Sequence, residues 1–326
     1  MSANPVAAAP PAVRARRRRQ GRPRPARAWG RPRPARARGR ARWTGWGFVG
    51  PFLAVFAFAL ILPIGYAVYL SLFRQQLIGG NAFVGLANYR LALHDPQFWA
   101  SVRRVLLFLA VQVPVMTVLA LLAALALDSA RLRWAPLYRL SIFLPYAVPA
   151  VVAALMWGFI YGSQFGLVAR LQSLLGAWVP DPLSGSWVLA AIGNVVTWEF
   201  VGYNMLIFYS ALRAVPRELY EAAEIDGATN TGVVRWIKLP ALRPAIVVAL
   251  IFSVIGSLQL FNEPNVLQQL TPDTITKNFT PNMYAYNLSF AGQEYNYSAA
   301  IAIIMGIITV IIAALVQRYG QRRAAA

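Results

Sequence analysis

The 326-residue chain contains no cysteine and a single histidine, His94. Without thiols there is no disulfide framework, no iron–sulfur cluster and no thiolate zinc site. One imidazole does not make a histidine metal site. Charge is scarce as well, at 13% of residues, and acids are the scarcer sign: 11 Asp and Glu against 31 Lys and Arg, none of the acids before Asp95. A chain this poor in charge and 58% hydrophobic is neither disordered nor an ordinary soluble enzyme, whose apolar share sits at roughly 45–50%. There is no G-x-x-x-x-G-K-[ST] phosphate loop, and no nucleophile–base–orienter set can be read. The chain is expected to be non-catalytic and to need no cofactor and no metal.

The net charge of +20 superficially suggests a nucleic-acid binder. Its distribution says otherwise. Fourteen of the basic residues are arginines between Arg14 and Arg42, and removing that stretch leaves 17 basic against 11 acidic residues. Residues 1–42 are Arg, Pro, Ala and Gly with almost nothing apolar to bury, so this tail is expected to be disordered. Three readings of it stand: a low-complexity extension that reinforces orientation, an anchor on anionic lipid headgroups, or a nucleic-acid arm, for which it has no interleaved aromatics beyond Trp29. It is not a signal peptide, because the apolar run that follows is too long and lacks a small-residue cleavage site.

What dominates the rest is a set of long apolar runs: Gly47–Phe73, Val105–Leu127, Leu140–Gly162, Trp187–Leu212, Ala245–Phe261 and Ser298–Val316. Each is near or above the length needed to cross a hydrocarbon core of about 30 Å as a helix. Only helices satisfy their own backbone within lipid, so the fold class is all-α, a polytopic membrane protein with six transmembrane helices over residues 43–326. With the N-terminus inside, 25 basic residues fall on the inner side and six on the outer. Cytoplasmic loops are rich in Lys and Arg, so both termini are expected in the cytoplasm of a multi-pass plasma-membrane protein.

The fourth and fifth runs are joined by a polar segment, Arg213 to Pro244. Pro216 and Glu218 suit a helix start. Leu219, Ala222, Ala223 and Asp226 keep helical spacing, and Gly227 ends the helix. Asn230 or Thr231 can cap a second helix to Lys238, with Pro240 and Pro244 stopping it before the fifth span. The small residues Ala222, Ala223 and Ala228 leave a surface over which another protein's groove can close.

Glu221, Ala222, Ala223, Asp226, Gly227, Ala228, Ile237, Leu239, Pro240 and Pro244 resemble the EAA motif of ABC importer permeases, the membrane subunits of binding-protein-dependent uptake systems. The resemblance implies the MetI-like permease core, and it makes Glu221, Ala222, Ala223, Asp226, Gly227, Ala228, Leu239 and Pro240 the residues that dock on a cytoplasmic ABC ATPase dimer. It further implies a second homologous permease subunit, an extracytoplasmic binding protein and location in a bacterial cytoplasmic membrane. Phe83-Val84-Gly85-Leu86-Ala87-Asn88-Tyr89 looks like a stretch of the sugar-importing members. Leu144-Pro145 through Trp157 resembles the family's third core span. Ser257 to Pro264, and Asn278 to Ala300 with Thr280-Pro281-Asn282, Tyr284 and Tyr297, look like the lactose- and cellobiose-type permeases. A sugar is then the implied substrate, membrane lipid surrounds the spans, and nucleic acid is not an expected partner.

Ionisable groups within spans are costly and face a cavity or a partner. Glu199 sits mid-span near Trp198 and Asn204, and Glu263 lies beside Gln259 and Asn262. Sugars want hydrogen-bonding edges and flat apolar faces, so these six residues are the substrate-path candidates, with Tyr203, Phe208 and Phe261 as further aromatic area. Glu199 has a second reading as polar glue between helices, and Glu263 as a side chain snorkelling to water. Three Asn-x-Ser/Thr sequons, at Asn278, Asn287 and Asn296, read as chance in a bacterial protein. Two alternatives remain at this point: a permease of the same family for a non-sugar solute, and a membrane-anchored scaffold with a nucleic-acid- or lipid-binding tail.

Overall fold

A computed structural model describes residues 35–76, 80–129, 132–162 and 166–325. Up to position 34 the expected tail lies outside the described residues, and helix α1 (Ala35–Phe56) begins at Ala35. The chain divides into two units, residues 1–59 and 60–326. In the first, Phe52 and Phe56 of α1 are one turn apart and stack at 6.0 Å. A π turn (Ala57–Ile61) precedes α2 (Leu62–Ser71), and the apolar helix Trp46–Ser71 is long enough to cross a membrane.

The main unit continues with an antiparallel hairpin that the sequence reading missed, β1 (Phe73–Gln76) and β2 (Gly80–Phe83), in which Phe73 opposes Phe83. After α3 (Ala87–Leu93) comes α4 (Pro96–Leu127). Proline at its first position gives up only a donor that a helix start leaves unused, and Asp95 caps it by accepting from the Gln97 N–H at 2.8 Å. Then follow α5 (Ala135–Phe143), a 3₁₀ turn (Leu144–Ala147), α6 (Ala150–Tyr161), α7 (Leu167–Leu175) and α8 (Val188–Arg213). Beyond α8 are α9 (Arg217–Ile225), α10 (Asn230–Val233), a π turn (Val234–Lys238), α11 (Leu239–Leu258), α12 (Asn262–Leu267), α13 (Pro281–Phe290) and α14 (Tyr295–Ala325).

Among the described residues, five helices are apolar and long enough to span a bilayer, and the third expected span is instead a pair, Ala135–Ala147 and Ala150–Tyr161, bent by 99°. The break has a local cause. Pro149 lacks an N–H and disfavours helical angles at the residue before it, and Val148 is accordingly extended at ψ 129°. A second expectation is corrected at Pro240 and Pro244. They do not stop the helix, which runs from Asn230 to Leu258 through the π turn just ahead of Pro240. A π turn re-registers the hydrogen-bond ladder where a proline has no donor to give, and membrane helices tolerate such adjustments. The capping residue of that helix is Thr229, whose hydroxyl accepts from the Gly232 N–H at 3.2 Å, rather than Asn230 or Thr231.

Lipid tails are as apolar as leucine, so association of spans rests on close packing rather than on escape from water. Small residues supply it. Ala120 and Ala124 of α4, both fully buried, share a cluster with Met205, Phe208 and Leu212 of α8 and Leu242 and Ala249 of α11. Gly202 of α8 packs so close to α5 that an added Cβ would lie 2.1 Å from the Ile142 carbonyl oxygen.

The hairpin end is tied by polar groups. Asn88 donates to the Ser71 and Phe73 carbonyls, each at 2.8 Å, and Asn296 donates to the Leu70 carbonyl at 2.9 Å. These amides tie down carbonyls where α2 ends and β1 begins. The sugar-permease-like stretch from Phe83 to Tyr89 therefore works as a clamp here, with Gly85 at φ +57° making its turn. Asn296, one of the three sequons, is buried in that contact. Asp95 binds a third set of elements: its second carboxylate oxygen accepts from the Tyr284 hydroxyl at 2.6 Å and the Tyr297 hydroxyl at 2.7 Å. Burial pushes the Asp95 carboxyl up, but the donors Tyr284, Tyr297, Gln97 and Phe98 together outweigh it and hold it below the ordinary carboxylate value. Tyr284 is shifted the other way, raised by burial and by its bond to Asp95.

Candidate functional site

A cavity of about 490 Å³ opens where α4, α8 and α11 meet the broken third span. On α8 the spacing of Val196, Phe200, Tyr203 and Asn204 puts all four on one face, and that face is the cavity wall. Opposite it, α11 contributes Phe252, Ser253, Gly256 and Ser257. This helix stops at Leu258, and the short break before α12 turns Gln259, Phe261, Asn262 and Glu263 into the same space. Tyr146, beside the break in the third span, completes an aromatic corner by stacking on Tyr203 at 5.0 Å and 18°.

Of the six path candidates, Asn204, Gln259, Asn262 and Glu263 line this cavity. Glu199 lies behind the wall, 3% exposed, and its carboxyl shares a hydrogen bond with that of Glu263. Trp198 is not a wall residue; it packs edge-on against Trp157 at 5.9 Å. Phe208, counted among the possible aromatic surfaces, is fully buried in the α4–α8–α11 cluster instead. Two acceptors near the cavity, Glu199 Oε2 and Asn204 Oδ1, are buried without a partner among the described residues. Asn204 uses its amide nitrogen on the Phe200 carbonyl at 3.1 Å, which fixes its orientation. A buried acceptor without a donor is costly, and of the two only Asn204 belongs to the cavity wall. Among the described residues, the lining holds one carboxyl group and no Lys, Arg or His.

At the other end of α8, the segment Arg213–Pro244 forms a second candidate surface. Helix α9 ends in a Schellman turn: the Gly227 N–H bonds the Glu224 carbonyl, the Ala228 N–H bonds the Ala223 carbonyl at 2.9 Å, and Gly227 takes φ +76°. Glu221, Ala222, Asp226, Gly227 and Ala228 are exposed, while Ala223, Leu239 and Pro240 are half-buried. Large apolar side chains stand out beside them, Ile225 at 87% exposure and Trp236 at 74%. Sequence reasoning passed over both. Their signal is an apolar residue on the polar face of an amphipathic turn, which marks a contact site more often than a fault. Below this surface a pocket of about 790 Å³ holds the ion pair Asp128–Lys238, at 2.6 Å. No local signal announces that pair, because 110 residues separate its members.

Residues 116–325 match the family described as "Binding-protein-dependent transport system inner membrane component". The chain is 32% identical over 290 residues to the lactose transport system permease protein of Rhizobium radiobacter, spanning 85% of this chain and 94% of that protein. It is 31% identical over 294 residues to the sulfoquinovosyl glycerol transport system permease protein of Agrobacterium fabrum, spanning 85% and 93%, and 31% identical over 288 residues to the diacetylchitobiose uptake system permease protein of Streptomyces coelicolor, spanning 82% and 80%. Among solved structures, a chain of a bacterial alginate ABC importer shares the fold with TM-score 0.77 at 19% identity, covering 88% of this chain and 98% of that one.

Proposed function

The chain belongs to the binding-protein-dependent transport system inner membrane components, and from that premise we propose that it is the permease subunit of an ATP-driven importer of a disaccharide or oligosaccharide. The observation that carries the sugar assignment is the cavity, where aromatic faces at Tyr146, Phe200, Tyr203 and Phe261 surround the hydrogen-bonding edges of Asn204, Gln259, Asn262 and Glu263. Sugar rings present C–H faces to the first and hydroxyls to the second. The relatives named for lactose and diacetylchitobiose support the same reading. Among the described residues the wall offers no cation as a counter-charge, which favours a neutral sugar over an acidic one.

The energy comes from a separate ATPase, with residues 213–244 as the docking element and Glu221, Asp226, Ile225 and Trp236 presented to it. One chain forms half of a pathway, so a second homologous permease completes it, and a soluble binding protein delivers sugar at the hairpin end. The excess of basic residues at the α9 end and in the termini supports a cytoplasmic location for both termini. Transport then follows alternating access: closure of the ATPase pair moves the docking elements and opens the cavity outward, and hydrolysis lets it reopen inward.

The test is uptake of labelled neutral oligosaccharides and of the corresponding uronates by proteoliposomes holding the whole importer and its binding protein. Neutral sugars are the expected substrates. Glu263→Gln and Asn204→Ala should each weaken apparent affinity with the ATPase still bound, by about ten- to a hundredfold where a hydrogen bond to a charged group is lost. Wild-type affinity in both variants, or uptake of uronates alone, would overturn the assignment.

A further inference from the structure

Lys238 is the last residue of the π turn and leads directly into α11. Its ammonium group donates to the carboxylate of Asp128, which caps the C-terminus of α4. The same nitrogen lies 5.5 Å from the centre of the Tyr220 ring on α9, within cation–π range. Helix α9 is joined to α8 by only three residues, Ala214 to Pro216. Three helices thus end at one ammonium group: α11 through the chain, α4 through Asp128, and α8 through α9 and Tyr220. They are the helices that carry Phe252, Met116 and Tyr203 in the cavity wall.

The joint is enclosed. The Asp128 and Lys238 side chains are only 11% and 14% exposed, so the pair is less screened than an ion pair on an open surface. The Tyr220 hydroxyl is buried, and burial together with the Asp128 charge pushes it above its ordinary pKa. The Tyr220 side chain therefore stays a neutral ring over the cation. Packed interfaces of this kind have discrete arrangements and do not stretch continuously.

We propose that the Asp128–Lys238 pair, closed over by Tyr220, is the joint that makes the docking segment and the three cavity-lining helices move together. Asp128, Lys238 and Tyr220 are positioning residues: they touch neither sugar nor nucleotide. The inference rests on the docking role of residues 213–244.

The experiment uses the complete importer in proteoliposomes and records three quantities: ATPase retained on purification, ATP turnover and sugar taken up per ATP. Asp128→Asn and Lys238→Met should keep the ATPase bound and turning over while uptake per ATP falls about tenfold, a size typical of coupling free energies between sites. The reversed pair, Asp128→Lys with Lys238→Asp, should recover part of that loss, because it restores the ion pair and not the cation over Tyr220. Tyr220→Leu leaves the ion pair intact and should lower uptake per ATP on its own, which keeps the test open if a charge variant fails to insert. Unchanged uptake per ATP in the single variants and in Tyr220→Leu, or no recovery in a reversed pair that still holds its ATPase, overturns the joint. A parent chain that retains no ATPase overturns the docking reading instead, so the two failures are distinct.

Discussion

A single methyl group at position 202 should damage the cavity from behind. The Cβ of Gly202→Ala would lie 2.1 Å from the Ile142 carbonyl oxygen and 2.7 Å from both the Ile142 carbonyl carbon and the Phe143 Cα. Carbon–oxygen contacts settle at about 3.3 Å or more, so α8 and α5 must separate by about 1.2 Å. The obstacle is backbone, which cannot rotate aside as a side chain can. Overpacking of this kind costs about 1–3 kcal/mol. The displacement falls next to Tyr203, whose ring stacks on Tyr146 just past the end of α5, so the aromatic corner opens as well. The matched control is Gly306→Ala, in α14 and away from the cavity wall, where an added Cβ meets nothing within 4 Å. It should leave stability unchanged or raise it by up to about 1 kcal/mol through helix propensity. Melting of the purified complex in detergent and sugar uptake after reconstitution read out both variants. Gly202→Ala should melt lower and transport less, and Gly306→Ala should do neither. Equal melting and uptake for the parent and Gly202→Ala would refute the close backbone approach.

Asp95→Asn should destabilise the hairpin end at neutral pH by about 1–3 kcal/mol, since it removes charge from four accepted hydrogen bonds. Because the folded pKa of Asp95 is depressed, its contribution is complete above the ordinary value of about 3.9 and is lost as pH falls through the folded one; the melting gap between parent and variant should narrow below about pH 4, and a gap that stays constant contradicts the network. In the proposed docking segment, Gly227→Ala meets no steric obstacle but forces a Cβ into φ +76°, at about 1–2 kcal/mol. Gly227→Pro and Glu221→Lys should go further and reduce ATPase co-purification without lowering abundance, and full retention of the ATPase in both would remove this segment from the docking role. Orientation is checked by single thiols in this cysteine-free chain: one at Asn282 should react with an impermeant reagent in intact cells and one at Thr229 should not, and the opposite pattern inverts the topology.

Local physics explains what was legible in advance. Apolar run length announced the spans, and a glycine after a helical stretch announced the Schellman turn at Gly227. Glu263, Gln259 and Asn262 could be singled out because polar groups are conspicuous inside an apolar run. What escaped notice depends on distant partners or on backbone re-registration. Pro149 signals a kink, yet a 99° bend that turns Tyr146 toward the cavity depends on how α6 packs on α12. Pro240 reads as a stop, and a π turn lets the helix pass through it. Glu199 and Glu263 both stand out alone, but their hydrogen bond joins residues 64 positions apart. Asn88 looked like part of a family signature, and its buried bonds to Ser71 and Phe73 explain why an amide is needed there.

The break at Val148–Pro149 has one more consequence. A chain bent by 99° interrupts its ladder of backbone hydrogen bonds, and exposed peptide groups are not tolerated against lipid; they survive at this depth only inside protein or beside water. Tyr146 and Ala150, on the two sides of the break, both border the cavity. The open peptide groups of the break are thus sheltered by the protein around the cavity instead of by a continuous helix. A solute hydroxyl that gives up water for a wall group gains only about 0.5–1.5 kcal/mol net. Weak retention follows from such small gains, and weak retention is what a conduit needs in order to let its cargo go on the far side.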